Sequence, residues 1–160
     1  MPTHDPKQPR GSDQLIAPDA HARQHERVRQ AHQTELIEDY VELIADLIDT
    51  KGEARAVEIA RRLGVRQGTV GKMVTRLREQ GLIRSEPYRA IHLTDAGRRM
   101  AEASRERHAV VLRFLRAIGV SEDTAMMDAE GVEHHVSEET LRALRTVTRR
   151  LGPGADEDSG

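Results

Sequence analysis

The stretch 55–93, RAVEIARRLGVRQGTVGKMVTRLREQGLIRSEPYRAIHL, decides the fold. Val57, Ile59, Ala60 and Leu63 lie on the apolar side of a short helix from Arg55 to Leu63. Gly64-Val65 breaks that helix with a tight turn. A second helix runs from Arg66 to Gln80, with Val70, Met73, Val74 and Leu77 inward, and Gly81 closes it. Leu82 to Glu86 and Ala90 to Leu93 then read as two strands turned at Pro87-Tyr88-Arg89. Helix, turn, helix and hairpin, preceded by one more helix, is the order of a winged helix-turn-helix.

That preceding helix is expected from about Ala22 to Asp49. Leu36, Ile37, Tyr40, Val41, Ile44, Leu47 and Ile48 form its stripe, and Gly52 suits a left-handed cap. On the other side, Thr94-Asp95 opens a long helix to about Ile118, stopped by Gly119. Ser121 can cap a helix through about His135, and Ser137 a last one to about Leu151. The fold class is therefore mainly α: an N-terminal winged helix-turn-helix with a two-stranded wing, then a C-terminal helical domain. Residues 1–20 hold four of the six prolines and read as a disordered arm. The expected units are 21–94 and 95–151, with 152–160 a Gly/Asp-rich disordered tail.

Composition narrows the function classes. Aromatic residues make up 2% of the chain, so aliphatic side chains carry the core, and stacking on unpaired bases is disfavoured. With no cysteine, thiolate metal sites and disulfides are excluded. Neither a signal peptide nor a long apolar run is visible, so a cytoplasmic protein with no membrane association is expected. The net charge of −2 alone argues against binding DNA, but its distribution argues otherwise. Residues 51–93 carry ten Lys/Arg against four acids, whereas 121–140 carry seven acids and no Lys/Arg. One segment suits phosphate and the other suits cations.

Two constellations carry chemistry. On the second helix of the helix-turn-helix, Arg66, Gln67, Thr69, Lys72, Thr75 and Arg76 are placed outward. Short polar groups there can reach base edges, and cations can meet phosphate or guanine. The competing reading is a solvated basic face. The second constellation is acidic: Asp39 and Glu42 at i, i+3, and Glu130, Glu133 and His134 at i, i+3, i+4, each set on one helix face. Oxygen and imidazole donors suit a divalent cation such as Mn²⁺, although paired acids on a helix are usually solvation. Val136 breaks the paired Glu-x-x-His pattern of a di-iron site. No nucleophile–base set or phosphate loop supports catalysis, so the chain is expected not to be an enzyme. A regulator that senses iron or a small organic ligand is the alternative.

The words Glu35-Leu36-Ile37-Glu38-Asp39-Tyr40-Val41-Glu42-Leu43-Ile44, Lys72-Met73-Val74, Tyr88-Arg89, Leu93-Thr94, Arg107-His108 and Asp128-Ala129-Glu130-Gly131-Val132-Glu133-His134-His135 resemble the manganese-responsive branch of the diphtheria-toxin-repressor family. The resemblance spans about residues 30 to 150. It implies a homodimeric repressor of metal transport genes that binds double-stranded operator DNA when loaded with Mn²⁺. It places metal ligands at Asp39, Glu42, His108, Glu130, Glu133 and His134, with two ions per subunit sharing Glu130 and Glu133. It adds Arg89 of the wing to the DNA-contact candidates Arg66, Gln67, Thr69, Lys72 and Arg76. The chain departs from some relatives after His108, where Ala109-Val110-Val111-Leu112 offers no further acid.

Overall fold

A computed structural model describes residues 15–87 and 89–152. The expected arm over 1–14, the tail over 153–160 and the wing's Tyr88 lie outside the described residues.

Helix α1 (Pro18–Lys51) starts four residues before the expected Ala22. Pro18 has the fixed φ that suits a first helical position, and Asp19 complements the N-terminal dipole. Three residues of the expected arm are therefore helical. Gly52 ends α1 in the left-handed region at φ 81°, its N–H on the Ile48 carbonyl. Ile37, Tyr40, Val41, Ile44 and Leu47 are buried, the stripe that the sequence shows.

Helices α2 (Ala56–Leu63) and α3 (Gln67–Glu79) follow, joined by a turn in which Gly64 takes φ 65° and Val65 N–H donates to the Ala60 carbonyl. Val70 and Leu77 are fully buried and Met73 nearly so. The wing is shorter than expected. Strands β1 (Ile83–Arg84) and β2 (His92–Leu93) pair antiparallel through Ile83–Leu93 and Arg84–His92, and Ala54 bridges to Ile91 on the same edge. Leu82, Ser85, Glu86 and Ala90, expected as strand, lie outside the paired strands.

Thr94 fixes the start of α4 (Asp95–Ala117): its hydroxyl accepts from Gly97 N–H at 3.1 Å and donates to the Gly81 carbonyl at 2.6 Å. Ala101 of α4 belongs to the core of the DNA-binding unit, while Val110 and Val111 belong to a second core with Ala129 and Leu141. That second core is built with α5 (Glu122–Val132) and α6 (Glu138–Leu151). Ser137 caps α6 by accepting from Thr140 N–H, whereas the Ser121 hydroxyl meets Thr124 Oγ1 and leaves the α5 N–H groups alone. The α5 helix stops at Val132, short of the expected His135, because residues 133–135 tighten into a 3₁₀ turn. Arg105 ties α4 to α1 through Asp46 and Asp49, and Glu106 ties it to Arg145 of α6.

Candidate metal centre and nucleic-acid interface

The fold brings the two acidic sets into one cleft between α1, α4 and the 3₁₀ turn. Asp39 and Glu42 project from α1, His108 from α4, Glu130 from α5, and Glu133 and His134 from the turn. His108 Nδ1 lies 2.6 Å from Glu133 Oε2 and 3.6 Å from Glu130 Oε1. His134 Nε2 lies 3.2 Å from Asp39 Oδ1 and 3.4 Å from Glu133 Oε1. The turn buries the side chains of Glu133 and His134, with 1% and 2% of their surface left, while Glu130 keeps 71%.

Burial without compensation shows in the electrostatics. Desolvation pushes the Glu133 carboxyl up to about 7, against the pull of His108 and His134 and with the help of Glu42. Asp39 is raised by desolvation first, and by Glu35, Glu42 and Glu130, although His134 opposes this. For His134, burial favours the neutral ring, but Glu38, Asp39 and Glu133 outweigh it and raise the pKa. Oε1 of Glu42 is buried with no hydrogen-bond partner among the described residues. A buried carboxylate oxygen of this kind is costly unless something positive meets it. The donor set of four carboxylates and two imidazoles, with an orphaned oxygen among them, fits a divalent metal, and Mn²⁺ suits such hard donors.

Two residues of this centre escape the sequence reading. Nδ1 of His134 donates to Glu38 Oε2 at 2.8 Å, and Glu38 also forms an ion pair with Arg107 at 2.6 Å. Glu38 therefore holds the ring so that Nε2 faces Asp39 and Glu133, as carboxylates do for metal-binding histidines. A signal was available. Glu38 sits between Ile37 and Tyr40 on the buried side of α1, where an acid needs a partner.

The basic face is more selective than its charge count suggests. Glu58 gathers Lys51, Arg61 and Arg62, which lower its pKa to about 2. Arg55 pairs with Glu53, and Arg89 with Glu86. On α3, Gln67, Thr69, Lys72 and Thr75 are exposed, as is Arg66 before its first turn. Arg76 is only half-exposed and turns toward α1, where it reaches Gln33 Oε1 at 3.5 Å. Beside the wing, Arg55, Arg78, Arg84, Arg89 and His92 line a groove of about 750 Å³. Arg78 and Arg84 are cations of this face that helical periodicity alone does not single out.

Comparison with known proteins accounts for both halves. Residues 32–91 match the family model "Iron dependent repressor, N-terminal DNA binding domain". Residues 94–152 match "Iron dependent repressor, metal binding and dimerisation domain". The chain belongs to the iron-dependent repressor family. The expected resemblance and fold class are borne out, and membership makes the chain a DNA-binding transcription regulator rather than an enzyme. Among relatives, the transcriptional regulator MntR of Escherichia coli O157:H7 is 53% identical over 87% of this chain and 90% of its own length. The HTH-type transcriptional regulator MntR of Geobacillus kaustophilus (strain HTA426) is 39% identical over 76% of this chain and 98% of its own length. A solved manganese-dependent transcriptional repressor in complex with manganese is 30% identical, with a TM-score of 0.63 over 71% of this chain. This repressor spans 52% of that solved chain's length.

Proposed function

We propose that this chain is a manganese-responsive repressor. It binds operator DNA as a homodimer when Mn²⁺ occupies the cleft of Asp39, Glu42, His108, Glu130, Glu133 and His134, and so controls metal transport genes. The observation that carries this reading is the carboxylate set shared by α1 and the 3₁₀ turn, with Glu133 buried and Glu42 Oε1 left without a partner. The 30%-identical repressor solved with manganese supports it, and no helix among the described residues is long and apolar enough to cross a membrane.

Bound cation supplies the positive charge that four carboxylates lack. Without it, the contact of α1 with the turn rests on His134 with Glu38 and Asp39 and on a Glu133 carboxyl raised to about 7, while Asp39, Glu42 and Glu130 add like charge beside it. A cation held there would offset that charge and fasten Asp39 and Glu42 to Glu133 and His134, while His108 would tie the same cluster to α4. These six side chains would hold up to two ions per subunit. Because α1 carries the core of the DNA-binding unit (21–94), closing this cleft sets the angle of that unit on the dimerising unit (95–151). The two α3 helices of a dimer are then held at a spacing of roughly 34–36 Å, one turn of the duplex. Arg66, Gln67, Thr69, Lys72, Arg76 and Arg89 are the contacts to DNA in this reading.

A mobility-shift titration in chelator and in Mn²⁺ tests it. Coupling of about 1–3 kcal/mol corresponds to roughly 5–150-fold, so operator binding is expected to tighten at least about tenfold with Mn²⁺. Equal affinity in both conditions overturns the proposal. Running Fe²⁺ beside Mn²⁺ separates the manganese response from an iron one.

A further inference from the structure

His135 stands next to His134 in the chain but faces the other way. The turn buries the His134 ring, whereas the His135 side chain keeps 41% of its surface. Its Nε2 lies 3.2 Å from Glu35 Oε2 on α1, and its ring meets His32 edge-on at 5.7 Å between centroids. His32 and Glu35 are spaced i, i+3, one above the other on the same face of α1. One donor atom from each of His32, Glu35 and His135 lies within 4.8 Å of the other two. None of the three belongs to the carboxylate-rich cleft.

We propose that His32, Glu35 and His135 form a separate zinc site on the surface, distinct in position and chemistry from the manganese cleft. Two imidazoles and one carboxylate are the donor set that Zn²⁺ takes with a water in the fourth position. Imidazole nitrogen favours Zn²⁺ over the harder Mn²⁺, which suits the four carboxylates next door. Tetrahedral bonds of about 2.0–2.1 Å need donors roughly 3.4 Å apart. The Glu35–His135 pair already has that spacing, and the exposed His32 ring closes the remainder by side-chain rotation. The second face of the same 3₁₀ turn is thereby clipped to α1, from outside the cleft.

The test must keep zinc in the manganese cleft from being mistaken for zinc here. In full-length protein carrying Asp39→Ala, His108→Ala, Glu133→Gln and His134→Gln, which leaves the cleft only Glu42 and Glu130, calorimetry with Zn²⁺ is expected to find one ion per chain. Adding His32→Ala and His135→Ala is expected to abolish that uptake. In the otherwise wild-type chain, His32→Ala with His135→Ala is expected to leave Mn²⁺-dependent operator binding within about twofold, which also shows that the variant folds. No zinc uptake in the first variant, or uptake that survives loss of both histidines, overturns the proposal. Loss of Mn²⁺-dependent operator binding in the double-histidine variant overturns the separateness of the two sites. The inference does not depend on manganese being the cleft's ion.

Discussion

Glu133 is held where a carboxylate is least comfortable, enclosed by protein and faced by Glu42. Its folded pKa near 7 lies above the ordinary 4.5, so the metal-free native state holds a proton there that the unfolded chain has released. Stability tied to that proton is present below about 4.5 and is lost as pH rises toward 7 and beyond. His134 acts in the same sense: its raised pKa means that favourable charge pairing is lost as pH climbs past the ordinary 6.5. Asp39, also raised, reinforces the trend from lower pH. Thermal melts in chelator are therefore expected to show the midpoint falling between pH 5 and pH 8. Glu133→Gln should flatten that fall, and a profile as steep as wild type would mean that the carboxyl is not protonated in the native state. Glu38 gives a second expectation at this scale. Glu38→Ala frees the His134 ring without removing a donor, so Mn²⁺ affinity by calorimetry is expected to fall by about 10–100-fold.

Among the elements, α4 depends on a close approach that only glycine permits. A Cβ on Gly97 would sit 2.1 Å from the Leu82 carbonyl oxygen and 3.1 Å from Leu93 Cδ2. Gly97→Ala must push α4 off the wing, at a cost of about 1–3 kcal/mol or more, measurable by denaturant unfolding. On α3 the exposed Lys72 is a phosphate contact in the proposed reading. Lys72→Ala should weaken all duplex sequences alike and reduce the salt slope by about 1, while Mn²⁺ affinity stays unchanged. The helices were readable in the sequence because their signals are local: the Ile37–Leu47 stripe, Gly52 as a left-handed end, Gly64 as a break, Thr94 as a helix start and Ser137 as a cap. The 3₁₀ turn was not, since Glu130-x-x-Glu133-His134 fits a continued helix equally well until Val136 extends the chain. Strand length in the wing, the Gly97 contact and the turning of Arg76 toward Gln33 depend on which elements meet, and spacing along the chain carries no record of that. Convergence of the six candidate ligands is likewise a tertiary fact. The sequence supplied the donors through resemblance, and the fold supplies the distances.

As a whole, the molecule is unevenly finished. The DNA-binding unit has a full core from Ile37 to Ala101, whereas the C-terminal unit fully buries only Val110, Val111, Ala129 and Leu141 among its described apolar residues outside Ala125. Meanwhile Met126 and Met127 on α5 keep 49% and 76% of their surface. A second copy covering α5 would complete that unit, in keeping with its dimerisation-domain family model. Met126→Glu with Met127→Glu is expected to weaken self-association by at least about tenfold, about 1.4 kcal/mol, in sedimentation equilibrium. Unchanged self-association would place the interface elsewhere. The length of α1 has a different consequence. Its 34 residues span about 51 Å, yet its first buried side chain is Ile37. The outer turns are held by local pairs such as Glu26 with Arg29 and Gln30, so they open without the rest of the protein. Amide exchange should thus be graded along one continuous rod, fast near Arg23 and slowest near Ile44. His32 and Glu35 lie where the gradient begins to steepen, so zinc would act there as a brake on fraying.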